Sequence, residues 1–173
     1  LYTDWGWQNF QAWINAGFDN FLVTPNARIH RLITRLAVEN LFHPFQTFIL
    51  GQFNLAPKIA ANFGIDLVFY GENEAEYGNP IADNSKSLRD KSYFTMDHID
   101  DMLLAGTPVS EILKKYDVDL VDLMTFLPLP AEEFEKTNIQ IHYLGYYLKW
   151  IPQEAYYYAV ETTNFKARPF RTQ

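Results

Sequence analysis

Between Trp7 and Tyr70 the chain switches repeatedly between two hydrophobic periods, and that alternation limits it to folds in which helices cover a sheet. In "WQNFQAWINA", residues 7–16, Trp7, Phe10, Trp13 and Ile14 share one helical face, and Gly17 is a terminator. "FLVTP", residues 21–25, reads as a short buried strand closed by Pro25. Asn26 caps a predicted helix, "ARIHRLITRLAVENLF", whose Ile29, Leu32, Ile33 and Leu36 recur at helical spacing. A helical segment from Pro44 to Phe63, bent or restarted near Pro57, ends at Gly64 and feeds the strand "IDLVFY". Helix, strand, helix, helix, strand predicts an α/β fold with a parallel sheet.

From Thr95 onward the pattern changes to short helices, "TMDHIDDMLLAG", "PVSEILKKY" and "DLVDLMTFL", punctuated by Gly and Pro. The aromatic run "IQIHYLGYYLKW" fits a strand only loosely, and Pro152 suits the first position of a last helix, "PQEAYYYAVETT". The reading is one α/β domain, residues 1–94, with a mainly helical extension, residues 95–173, packed on it. The abrupt start at Leu1 and the abrupt end after "KARPFRTQ" suggest a fragment of a longer polypeptide.

Fourteen Lys and Arg stand against 21 Asp and Glu, a formal charge of −7, which argues against nucleic acid as a partner. With no cysteine, neither a disulfide framework nor a thiolate metal site lies in these residues. No apolar run reaches the length of a membrane span and no leader pattern opens the chain, so the expectation is a cytoplasmic protein.

The stretch with most chemical content is "LVFYGENEAEYGNP", residues 67–80, where a buried strand gives way at Gly71 to Glu72, Glu74 and Glu76. Ligand crevices of open parallel sheets lie beyond the carboxyl ends of strands. There Gly71 lets the backbone approach a ligand, Glu72 offers a hard oxygen to magnesium, and Asn73 offers both donor and acceptor. A solvated turn accounts for the same composition.

Other residues carry weaker signals. His43, before Pro44 at a helix start, is a candidate general base or phosphate contact, and equally a helix-end hydrogen-bonding group. Gln46 and Gln52 could add substrate contacts. Arg28, Arg31 and Arg35 share one side of their helix, most simply a solvated face, although Arg28 at its start could reach a phosphate. "ADNSKSLRDKSYFT" has the composition of a basic lid, with Lys86, Arg89 and Lys91, or of a loose surface loop. Tyr143, Tyr146, Tyr147 and Trp150, with Tyr156 to Tyr158, could stack on sugar rings or form an interface.

The segments "HPFQTFILGQFNLAPKIAANFGI", "GENEAEYGNP" and "YLGYYLKWIPQEAYYYAVE" resemble the N-acetyl sugar amidotransferase family of bacterial surface-polysaccharide biosynthesis, including LPS O-antigen, within the PP-loop ATP pyrophosphatases. The resemblance runs from "TDWGWQNF" to "KARPFRTQ". It implies a partial PP-loop domain, like the adenine nucleotide alpha hydrolases, that binds ATP and Mg2+. The implied chemistry is adenylation of a sugar N-acetyl oxygen followed by displacement with ammonia, leaving an acetamidino group. A glutaminase subunit and a cyclase-like barrel subunit are the implied ammonia suppliers, and a sugar or nucleotide-sugar is the implied substrate. Gly71, Glu72 and Asn73 occupy the place of the superfamily's Gly-His-Asn motif, with Glu72 in place of histidine. Asp4 and Trp5, in "YTDWGW", stand where adenine or substrate is often met, whereas Trp7 fits a core-facing helix side. The Ser-Gly-Gly-Lys-Asp-Ser phosphate loop and the family's cysteine cluster, which looks like a zinc site, are not among these 173 residues, so both are expected upstream and the fragment alone is expected not to hydrolyse ATP. Two rivals remain: hydrolysis of a glycoside by carboxylates such as Glu72 and Glu76, and a non-catalytic carbohydrate-binding or assembly module.

Overall fold

The computed structural model describes residues 3–71 and 86–168. It mixes helices with short strands and divides into two compact units, Thr24–Leu148 and a smaller one made of Leu1–Val23 with Lys149–Gln173.

In the smaller unit, α1 (Asp4–Asn15) begins at Thr3, whose side chain accepts a hydrogen bond from the Gly6 amide at 3.1 Å. It contacts α7 (Pro152–Thr163), which starts, as its sequence predicts, with proline at the first helical turn. Beyond α7, the Asn9 amide side chain donates to the Lys166 carbonyl at 3.0 Å and accepts from the Lys166 amide at 2.9 Å. No residue described in this unit is fully buried. Trp7 is 49% exposed, so its helical face is not the core face that the spacing predicted. The expected strand over 21–25 does not form: residues 18–26 adopt neither helix nor strand, and Phe21, Leu22 and Val23 are exposed. An apolar run is a strand only when a neighbouring edge completes its ladder.

The larger unit has two cores. In the first, α2 (Ala27–Leu41) buries Ile29, Ile33, Leu36 and Ala37 against Val109 and Ile112 of α4 (Val109–Lys115) and against Leu123, Phe126 and Leu127. Asn26 caps α2 by accepting from the Arg28 amide at 3.0 Å. Where "TMDHIDDMLLAG" suggested a helix, the chain forms β2 (Thr95–Met96), a 3-10 turn, and an antiparallel hairpin of β3 (Leu103–Leu104) and β4 (Thr107–Pro108). Both turn residues have positive φ, Ala105 at 56° and Gly106 at 71°, the geometry that makes a two-residue hairpin loop match strand twist. Asn40 of α2 fastens the turn, donating to the Ala105 carbonyl at 3.0 Å and to Thr107 Oγ1 at 2.9 Å.

The second core lies under the only four-residue strands described. β1 (Leu67–Tyr70) pairs in parallel with β6 (Gln140–Tyr143), Tyr70 opposite Tyr143. Short β5 (Leu129–Pro130) pairs in parallel with β2, and α6 (Ala131–Phe134) follows it. Helix α3 (Gln46–Phe63) covers one face of β1 and β6 with Phe53, Ala56 and Ala60, and ends in Gly64 at φ 63°. It is continuous through Pro57. Its Asn54 donates to the Phe126 carbonyl at 2.8 Å, and Lys58 donates to the carbonyls of Met124 and Leu127, which ties the turn after α5 (Leu120–Leu123) to the helix. The division drawn at 94/95 runs through both cores, since Ile29 shares one with Leu104 and Val68 shares the other with Ile141.

Candidate functional site

Two parallel strands end on the same side, here β1 at Tyr70 and β6 at Tyr143. Alternation sends Val68, Tyr70, Ile141 and Tyr143 into the second core and Leu67, Phe69 and His142 to the opposite face. Phe53, Phe94 and Tyr70 stack, with the Phe53 and Phe94 rings 4.7 Å apart, and Tyr143 lies 5.6 Å from Tyr70. The strand ends are therefore anchored by aromatic packing. Gly71 follows β1 and is exposed, and a 3-10 turn, Leu144–Tyr146, follows β6.

On the opposite face His142 is 9% exposed, with the Phe69 ring at 5.7 Å and the Tyr147 ring at 5.8 Å. The Tyr147 hydroxyl lies 2.7 Å from His142 Nδ1, a hydrogen bond across the turn at the strand end. Tyr147 and Tyr146 are themselves half exposed.

The far edge of β6 takes up a third segment. Leu88 bridges His142 in antiparallel fashion, and the Arg89 amide donates to the Ile141 carbonyl at 2.9 Å. Arg89 is 6% exposed, its guanidinium 3.8 Å from the centre of the Tyr93 ring and 5.8 Å from that of Tyr143. Asp90 caps the next turn by accepting from the Ser92 amide at 2.9 Å, and that bond holds its carboxyl below the usual carboxylate range. A cleft of about 400 Å³ opens here, lined by Lys86, Leu88, Arg89, Asp90, Ser92 and Tyr93. Lys91 pairs with Glu135 at 2.9 Å. Over 88–94 the stretch read as a lid or a loose loop is thus tied down on the sheet edge and the second core.

The remaining sequence candidates fall as follows. Glu72 and Asn73 lie outside the described residues, as do Glu74 and Glu76. Arg28 is exposed, and its guanidinium donates to the Asp117 carbonyl at 3.0 Å, just beyond α4, where Asp117 has φ 50°. His43 sits exposed between α2 and α3, its backbone amide donating to the Ala37 carbonyl and its carbonyl accepting from the Gln46 amide. Asp4 is exposed in the first turn of α1, and Trp5 is half-buried in the same helix. The aromatic group divides, Tyr143 in the core at 3% exposure and Tyr146 and Tyr147 open. Among the described residues no three His, Asp or Glu side chains converge as metal ligands. No described helix is long and apolar enough to cross a membrane.

His142 is the site residue that sequence reasoning missed. Its signal was present in "IQIHYLGYYLKW", a histidine four residues before a Tyr-Tyr pair, but the aromatic crowding hid the strand register that aims it.

Fold and site together define a mixed α/β chain whose candidate site lies at the carboxyl ends of a parallel strand pair. No protein-family model matches the chain, and no curated protein is similar to it in sequence.

Proposed function

We propose that the chain is part of an ATP-dependent N-acetyl sugar amidotransferase of the PP-loop type, acting on a sugar or nucleotide-sugar precursor of a surface polysaccharide. One observation supports this reading above the others. The last residues of two neighbouring parallel strands, Tyr70 and Tyr143, lie side by side although far apart in sequence, and in the sequence each adjoins a segment that carries the resemblance, "GENEAEYGNP" after Tyr70 and the one that opens with "YLGYY" at Tyr143. Crevices at such strand ends are where α/β proteins bind nucleotides and sugars.

An amide oxygen is a poor leaving group, and adenylation makes it a good one. In the proposed reaction the N-acetyl oxygen attacks the α-phosphorus of ATP and pyrophosphate leaves. Ammonia then adds to the carbon, a proton is lost, and the carbon–oxygen bond breaks with its electron pair going to AMP. Glu72, in this reading, ligates the magnesium that accompanies the nucleotide. The phosphate loop is required elsewhere in the same protein, and a glutaminase with a cyclase-like barrel is the proposed ammonia source.

The test is to supply the whole protein with ATP, magnesium, ammonium and UDP-N-acetylglucosamine or a related N-acetyl sugar nucleotide. Acetamidino product with AMP and pyrophosphate in equal amounts is expected. Sugar binding at Tyr146 and Tyr147 without any ATP-dependent product would favour a carbohydrate-binding module instead.

A further inference from the structure

The hydrogen bond between Tyr147 and His142 has a direction that elementary acidity decides. A phenol is the stronger hydrogen-bond donor and a neutral imidazole nitrogen the stronger acceptor, so the Tyr147 O–H donates to Nδ1 across 2.7 Å. The hydrogen of the ring then resides on Nε2. Nε2 makes no hydrogen bond among the described residues, in a residue that is 9% exposed. Phe69 and Tyr147 pack on the ring, and Leu88 bridges its backbone, which leaves the imidazole little freedom to turn. This is a fixed donor, one residue short of the strand end that Gly71 shares.

We propose that His142 presents Nε2–H to an acceptor oxygen of the nucleotide-linked sugar, and that Tyr147 is the positioning residue that sets its tautomer. The ligand's identity rests on the amidotransferase reading; the tautomer does not. A donor at this point orients the sugar nucleotide without taking a proton from it, so its loss weakens binding more than it slows turnover.

Nitrogen-15 spectra of the histidine-labelled protein test the first half. Nδ1 is expected in the unprotonated, hydrogen-bonded range and Nε2 in the protonated range, with Tyr147→Phe giving a mixture of tautomers. A protonated Nδ1 in the wild-type protein overturns the proposal. Titration with UDP-N-acetylglucosamine tests the second half. His142→Phe is expected to weaken binding about 3- to 10-fold, the worth of one hydrogen bond, and His142→Gln, whose amide reaches the Nε2 position, to restore much of it. Unchanged affinity in a folded His142→Phe protein overturns the proposal, as does wild-type protein that fails to bind the sugar nucleotide. AMP formation by His142→Phe with an unchanged KM for the sugar nucleotide sinks this inference alone, whereas no AMP formation by the wild-type protein sinks the amidotransferase reading.

Discussion

The Tyr70 hydroxyl donates to the carbonyl of Phe53, the carbonyl that Pro57 deprives of its helical donor. Proline at position 57 has no N–H to offer four residues back, yet α3 runs on through it, and the last residue of β1 reaches over to meet the carbonyl. The same side chain stacks with Phe53 and Phe94, so one tyrosine joins helix, sheet and the strand end that leads to Gly71.

A double-mutant cycle reads this relationship. Tyr70→Phe should destabilise the protein by about 1–3 kcal/mol, because it strands a part-buried carbonyl. With Pro57→Ala the helix supplies its own N–H, and the same tyrosine change should then cost distinctly less. Equal costs in both backgrounds, measured by urea unfolding, would show that the hydroxyl does not stand in for the helical donor that Pro57 removes.

The hairpin at Ala105 and Gly106 should be intolerant of change. A Cβ on Gly106 would lie 2.9 Å from Asn40 Cβ and 3.1 Å from Leu41 Cδ2, at φ 71°, so Gly106→Ala should cost roughly 2 kcal/mol or more. Asn40→Ala removes both bonds to the turn and should cost about 1–3 kcal/mol. Thermal unfolding of each variant checks both figures.

Lys58 gives a pH dependence of definite sign. Burial pushes its pKa from 10.5 down to about 8, so between those values the unfolded chain holds a proton that the folded one has released. Stability is therefore penalised below about pH 8 and recovers as pH rises toward 10.5. The unfolding midpoint of the wild type relative to Lys58→Met should climb across that window, and a difference that is flat with pH would contradict the burial of the ammonium.

Arg89 depends on the face of Tyr93. Tyr93→Leu keeps apolar bulk but removes the ring face 3.8 Å from the guanidinium, and should cost about 0.5–2 kcal/mol. Tyr93→Phe, which keeps the face, should be milder in the same unfolding experiment.

Much of the frame was legible in the sequence. Asn26, the face of Ile29, Ile33 and Leu36, Gly64 and the strand at Leu67–Tyr70 each carry a local signal that the fold obeys. What was not legible depended on distant partners. "FLVTP" looks like a strand by itself, but pairing makes a strand, and residues 18–26 form none. Two-residue strands such as Thr95–Met96 have no period to detect and exist only through Leu129 and Pro130. The hydrogen bond from Arg28 to the Asp117 carbonyl was not legible, because its acceptor lies 89 residues away. His142 was hidden too, since its value comes from Phe69 across the sheet and Tyr147 across a turn.

Under the proposed function the N-acetyl oxygen is activated as an adenylate, and oxygen-18 in the acetyl carbonyl tests this directly. The whole protein, given labelled UDP-N-acetylglucosamine or a related N-acetyl sugar nucleotide with ATP and ammonium, should place the heavy oxygen in AMP as acetamidino product forms. Label in inorganic phosphate, or retained in the sugar while ATP is consumed, would contradict the account.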